Sequence, residues 1–125
     1  MSEKEITWLK EDLEKNQLPC IIFTHFGLAE DRQIGNYWFK KNPENALMSN
    51  RKEIKNIIKN HNNVIAIFNG HQHWTKQLKE DGKNYYVVGS LTDNVDMRGI
   101  PDGVYLEVEL QDRNVKIIEK HIQVE

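Results

Sequence analysis

Apolar residues along the chain change their spacing several times, and each change marks an element. Ile6, Leu9 and Leu13 recur at helical spacing behind Ser2 and Glu5, which have the serine-to-glutamate offset of a capping box, so a helix is predicted to about Lys15. Asn16 and Leu18-Pro19 end it, because the residue before a proline avoids the helical region. Cys20-Ile21-Ile22-Phe23 is continuously apolar, the pattern of a strand buried on both faces. A second such run, Val64 to Phe68, follows a helical pattern in which Asn50 and Glu53 resemble another capping box and Ile54, Ile57 and Ile58 share a face to about Asn60.

Between the first strand and the second helix, Phe26 to Ser49 carries Gly27, Gly35, Pro43 and the aromatic cluster Tyr37-Trp38-Phe39. A loop of that length in a compact domain is expected to be functional or disordered. Beyond Phe68 the runs become short and turn-separated. Thr75 to Lys79 and Tyr85 to Gly89 flank Glu80-Asp81-Gly82-Lys83, where Asp-Gly signals a hairpin. After the glycine- and aspartate-rich stretch Ser90 to Gly103, Val104 to Leu110 alternates apolar with polar, and Gln111 to Asn114 turns it into Val115 to Ile122. The expected order is α-β-loop-α-β-β-β-β-β: an α/β fold with two parallel strands joined by a crossover helix and then β-hairpins.

Composition narrows the class. The chain has 125 residues, enough for the single domain, 1–125, expected here. Its 17 Lys and Arg against 19 Asp and Glu, a net charge of −2, argue against a surface built for nucleic-acid phosphates. The longest apolar run falls far short of the roughly 20 residues of a membrane helix. Cys20 is the only cysteine, which excludes an intrachain disulfide, and no apolar stretch follows a basic start. A reducing, cytoplasmic setting is expected.

Candidate chemistry sits at two strand ends. His25 follows the first buried run, and His71 and His73 follow the second in Asn69-Gly70-His71-Gln72-His73. Parallel strands joined by a crossover end on the same sheet edge, where open α/β sheets bind ligands. Three imidazoles meeting there are candidate ligands for a divalent metal. Gly70 is expected to supply an unusual dihedral or a close backbone approach. In an extended chain His71 and His73 would start about 7 Å apart, at roughly 3.3 Å per residue, so one metal between them or two neighbouring metals both remain open.

Phe23-Thr24-His25, then Asn69-Gly70-His71-Gln72-His73, resemble the last two metal-binding motifs of the calcineurin-like metallophosphoesterases, and Trp8-Leu9 and Val88-Gly89-Ser90 also resemble that family's C-terminal half. The resemblance implies half of a metallophosphoesterase-type α/β sandwich, with His25 and His71 on one metal (Mn, Fe or Zn), His73 on a second, and a phosphoester as substrate of the complete enzyme. The family's N-terminal motifs, Asp-x-His, Gly-Asp and Gly-Asn-His, do not occur in this sequence; Gly35-Asn36-Tyr37 and Asn60-His61 are decoys. The expectation is therefore an incomplete site with no catalytic residue of its own, in a chain inactive alone and completed by a missing N-terminal half or present as a homodimer. A non-catalytic metal-binding or assembly module, and one chain of a split enzyme, are the alternatives.

The remaining candidates have plainer readings. His61 suits a helix end, His121 a solvent-facing strand position, and Cys20 a small core residue. Tyr37, Trp38 and Phe39 either cover a substrate pocket or pack the long loop. Asp93, Asp96 and Asp102 lie in a turn-rich stretch, where aspartate commonly bonds its own backbone.

Overall fold

The computed structural model describes residues 1–94, 96 and 101–122. Helix α1, Glu3–Lys15, begins with the capping box expected from its sequence: Ser2 Oγ accepts from the Glu5 N–H, and the Glu5 carboxylate accepts from the Ser2 N–H at 2.6 Å. Its buried residues are Ile6, Leu9 and Leu13. Strand β1 is Cys20–Thr24, helix α2 Arg51–Lys59, and strand β2 Val64–Asn69. The hairpin β3, Lys76–Glu80, and β4, Lys83–Val87, turns through Asp81 and Gly82, both at positive φ (50° and 74°), as a two-residue Asp-Gly turn requires. Strands β5, Val104–Gln111, and β6, Asn114–His121, form a second hairpin and a separate two-stranded sheet. The Ser90 to Gly103 stretch between the hairpins lies partly outside the described residues.

The four-stranded sheet runs β1-β2-β4-β3. Strand β2 pairs in parallel with both β1 and β4, and β3 closes the far edge antiparallel to β4. The parallel β1–β2 pair was legible from the crossover, whereas the second parallel pairing was not. One sheet face carries Ile22, Ile67 and Tyr85 beneath α1 and α2, where they pack with Ile6, Leu9, Leu13, Ile54 and Ile58.

The other face is built from Ala66, Phe68 and Tyr86, with Ile21, Val88 and, from the second hairpin, Leu106, Val115 and Ile117. The hairpin thus gives this face a partial cover that the sequence did not announce. Strand β1 departs from its expected burial on both faces. As an edge strand it leaves Phe23 73 % exposed, stacked on Phe68 with ring centroids 5.4 Å apart.

The long segment after β1 is tied into the domain. Gly27 bridges to Leu47, a short 3-10 helix spans Pro43–Ala46, and Leu28, Ala29, Ala46 and Leu47 are buried. Asp31 is ion-paired with Lys76 on β3. Helix α2 does not begin with the expected cap: Asn50 makes no side-chain bond to the helix and donates instead to the Met1 carbonyl at 2.7 Å. Arg51 and Lys55 are buried beside Ile54 and Ile58, and acids from three separate segments satisfy them. Arg51 reaches Glu30 and Glu44 at 2.9 Å each, and Lys55 reaches Glu30 at 3.1 Å and Glu80 at 2.6 Å. Hydrogen bonding from Arg51, ahead of that from Lys55, holds the Glu30 carboxyl down to about 2.

Candidate functional site

Strand β1 ends at Thr24 and β2 at Asn69, paired side by side in parallel, so the chain turns out of the sheet twice over one edge. In the first turn Thr24 Oγ1 donates to the Phe26 carbonyl at 2.8 Å, and His25 is carried out exposed between them. In the second turn the Gln72 N–H donates to the Gly70 carbonyl at 2.6 Å. Gly70 itself lies outside the positive-φ region, and a Cβ there would meet nothing within 4 Å, so the special role expected of it is not realised. The strained dihedrals belong to the histidines: φ is +61° at His71 and +51° at His73. An L-residue in the left-handed region costs roughly 1–2 kcal/mol, and such strain gathers at functional sites. The turn is therefore not the extended segment from which a 7 Å separation was expected.

Gln72 supplies the anchor for both histidines. It is 1 % exposed, and its Oε1 accepts from Gln33 Nε2 at 2.8 Å while Asn36 Nδ2 donates to its carbonyl at 2.8 Å. Asn36 Nδ2 also donates to Gln33 Oε1 at 3.0 Å, which closes a buried amide network from the long loop to the turn. Gly27 is needed beside it, because a Cβ there would collide with the Gln72 side chain and with Leu47. Sequence reasoning missed Gln33, Asn36 and Gln72, since polar loop residues give no periodic signal of burial.

His25 and His71 are brought together, their ring centroids 4.8 Å apart. His71 Nε2 lies 3.1 Å from the Asn45 carbonyl. A carbonyl only accepts, so Nε2 carries the proton and Nδ1 keeps its lone pair. Burial lowers the His71 pKa below the ordinary histidine value; the Asn45 bond opposes this, and His25 and His73 add smaller depressions. Phe26 and Phe39 flank the same ring, with centroids at 4.3 and 5.0 Å.

His73 stands against other neighbours. Its Nδ1 is buried without a hydrogen-bond partner, with Asp93 Oδ2 3.7 Å away, and Trp38 meets the ring edge-on at 5.5 Å. Trp38 Nε1 donates to the Asn94 carbonyl at 3.0 Å, which ties the aromatic loop to the segment bearing Asp93. Asp93, read from sequence as a turn residue, is thus the carboxylate facing His73. Of the aromatic cluster, Trp38 and Phe39 pack on site histidines, and Tyr37 packs on Trp38.

The donors match a divalent metal in kind, and only partly in number. His71, a neutral imidazole with a free Nδ1, is the kind of electron-pair donor that zinc, iron or manganese accept, and His73 adds a second imidazole whose Nδ1 is buried without a hydrogen-bond partner. The Asn45 carbonyl on His71 is the kind of outer partner that fixes the ring of a metal-bound histidine. Among the described residues, however, no group of three or more His, Cys, Asp or Glu side chains comes together to hold one ion. The edge carries one histidine pair and, apart from it, His73 with Asp93.

The other titratable candidates are structural. His61 Nδ1 lies 2.7 Å from the Ile57 carbonyl at the end of α2, and His121 pairs with Glu119 on exposed β6. Cys20 is half-buried, and burial pushes its thiol pKa up, which removes thiolate character.

No family model and no curated protein matches the chain. Among solved structures it is similar to a dimetal phosphatase from Danio rerio, with a TM-score of 0.56 and 18 % identity, covering 71 % of this chain and 27 % of that one. The likeness is one of fold: a parallel-stranded sheet with its helices and a hairpin sheet make up part of a metallophosphoesterase-like α/β fold. The chain spans about a quarter of the length of that structure.

Proposed function

We propose that the chain is the C-terminal part of a metal-dependent phosphoesterase, with His25 and His71 as ligands of one divalent ion (Mn, Fe or Zn) and His73 as a ligand of a second. The observation that carries this reading is the His25–His71 ring pair beyond the C-terminal ends of the parallel strands β1 and β2, with His73 on the same turn as His71. Held by these residues, two such ions would supply activation of a water and neutralisation of charge on the phosphoryl oxygens of a phosphoester. The residues of this chain contribute orientation: Asn45 sets the His71 ring, and Gln33 and Asn36 hold Gln72 so that both flanking histidines project from one turn. The carboxylate ligands come from outside the chain, from an N-terminal half or a second polypeptide. The face on which Phe23 is exposed is covered by that partner or, in the chain alone, by a second copy in a homodimer, which would leave the metal site incomplete. The lone, half-buried Cys20 suits a reducing cytoplasm.

Calorimetric titration with manganese and zinc tests the ligand assignment. The wild type is expected to bind weakly, more weakly still as pH falls through the histidine range, and His71→Ala is expected to lose binding. Equal binding by both proteins overturns the assignment. With manganese and bis-p-nitrophenyl phosphate the chain alone is expected to show no turnover; turnover that disappears in His73→Ala would mean that its own assembly completes the site.

The lack of any three-ligand group among the described residues favours one second reading, a non-catalytic metal-binding or assembly module. Adding the missing half in trans separates the two, because only the enzyme reading expects activity to emerge.

A further inference from the structure

Beside His71 lies a cavity of about 540 Å³ whose apolar walls come from Phe26, Phe39, Leu47 and Met48. Its volume is in the range of small-molecule sites, which are mostly apolar with a few polar groups that fix orientation. His71 lines it, and two of its walls are the aromatic rings packed against that imidazole, Phe26 at 4.3 Å and Phe39 at 5.0 Å. Phe26 remains 40 % exposed although it packs on a histidine, so its ring presents free apolar surface.

The charge of the cavity selects further. Among the described residues that line it, Glu44 brings a carboxylate and Met1 the α-amino group of the chain, and no lysine or arginine side chain joins them. The nearest guanidinium, Arg51, is held at 2.9 Å by both Glu44 and Glu30 and is not free to meet an anion. Among the described residues, the lining thus offers no cationic side chain to hold a chain of further phosphates. An uncharged ring would lose its water against phenylalanine, leucine and methionine.

We infer that this cavity receives an uncharged aromatic group carried on the ester oxygen of the phosphoester, with Phe26 and Phe39 as specificity-determining residues. The inference rests on the metal-site reading only for what happens at the phosphorus; the ring is bound by the cavity itself. Phe39, supplied by the long loop, and Phe26, supplied by the turn after β1, would hold the ring while the phosphoryl group lies toward the histidines.

The test is binding, read by NMR, of 1-naphthyl phosphate and of methyl phosphate to the whole chain, with and without manganese. Naphthyl phosphate is expected to bind roughly ten-fold tighter than methyl phosphate, the scale of one aromatic contact together with its buried area. It should shift the Phe26 and Phe39 ring signals even without metal. Phe39→Ala should erase most of the preference, and Phe39→Leu, which keeps an apolar wall and guards against a folding defect, should retain part of it. Equal binding of the two esters by the wild type, or naphthyl binding that leaves both ring signals unmoved, overturns the inference. A naphthyl preference that persists while manganese changes neither affinity upholds the cavity and counts against the metal reading instead.

Discussion

Ile22 and Phe23 are adjacent on β1 and point to opposite faces of the same sheet, yet one is 8 % exposed and the other 73 %. The face of Ile22 meets two helices, whose buried isoleucines and leucines close over it. The face of Phe23 meets a two-stranded hairpin whose Leu106, Val115 and Ile117 join the cluster of Ala66, Phe68 and Tyr86 and leave Phe23 exposed. The difference teaches that apolar sequence sets the demand for cover, whereas supply depends on how far the covering element extends.

The largest effect expected from this comparison is at the closed face. Ile58→Ala, at a fully buried position on α2, should cost about 2–5 kcal/mol in denaturant unfolding, whereas Phe23→Ala should cost about 1 kcal/mol or less, because most of that ring is already in water. Equal costs at protein concentrations low enough to exclude association would break the comparison. The acid network that joins α2 to the long loop should add a pH dependence. Glu30 is held down to about 2, below its ordinary value of 4.5, so its contribution is present above that ordinary value and disappears as pH falls from there toward 2. Thermal midpoints should drop over that window in the wild type and drop less in Glu30→Gln.

Smaller effects sharpen the contrast between stability and function. His73→Gly removes a left-handed imidazole with an orphaned nitrogen and should raise stability by about 1 kcal/mol while weakening metal binding; destabilisation would show that the ring packing of Trp38 outweighs the strain. Phe23→Ser should leave the unfolding midpoint nearly unchanged and reduce the concentration-dependent mass seen by light scattering. If association is unaffected, the Phe23 face is not where copies meet.

Much of the fold was legible because its signals are local. The Ser2 to Glu5 cap lies within one helical turn, the Asp81-Gly82 turn carries its own dihedral preference, and both apolar runs became strands whose C-terminal ends share an edge. The histidines at those ends were legible for the same reason. What failed depended on partners distant in sequence. Asn50 has the cap residue type but spends its amide on the Met1 carbonyl, and Arg51 and Lys55 are buried only because Glu30, Glu44 and Glu80 converge on them. Asp93 faces His73 across 20 residues of chain, at 3.7 Å.

The amino-acid sequence by itself determined which segments would be helix or strand and which side chains would stand at the sheet's C-terminal edge, because periodicity, capping and turn preference act within a few residues. Tertiary structure decided which apolar strand took the edge and which the centre, since Cys20–Thr24 and Val64–Asn69 carry the same pattern and differ only in how many neighbours pair with them. It also decided that left-handed strain would fall on His71 and His73 rather than Gly70. A buried Gln72, held by Gln33 and Asn36 from a loop more than thirty residues away, constrains the turn between them, and no local preference in Asn-Gly-His-Gln-His encodes that pull.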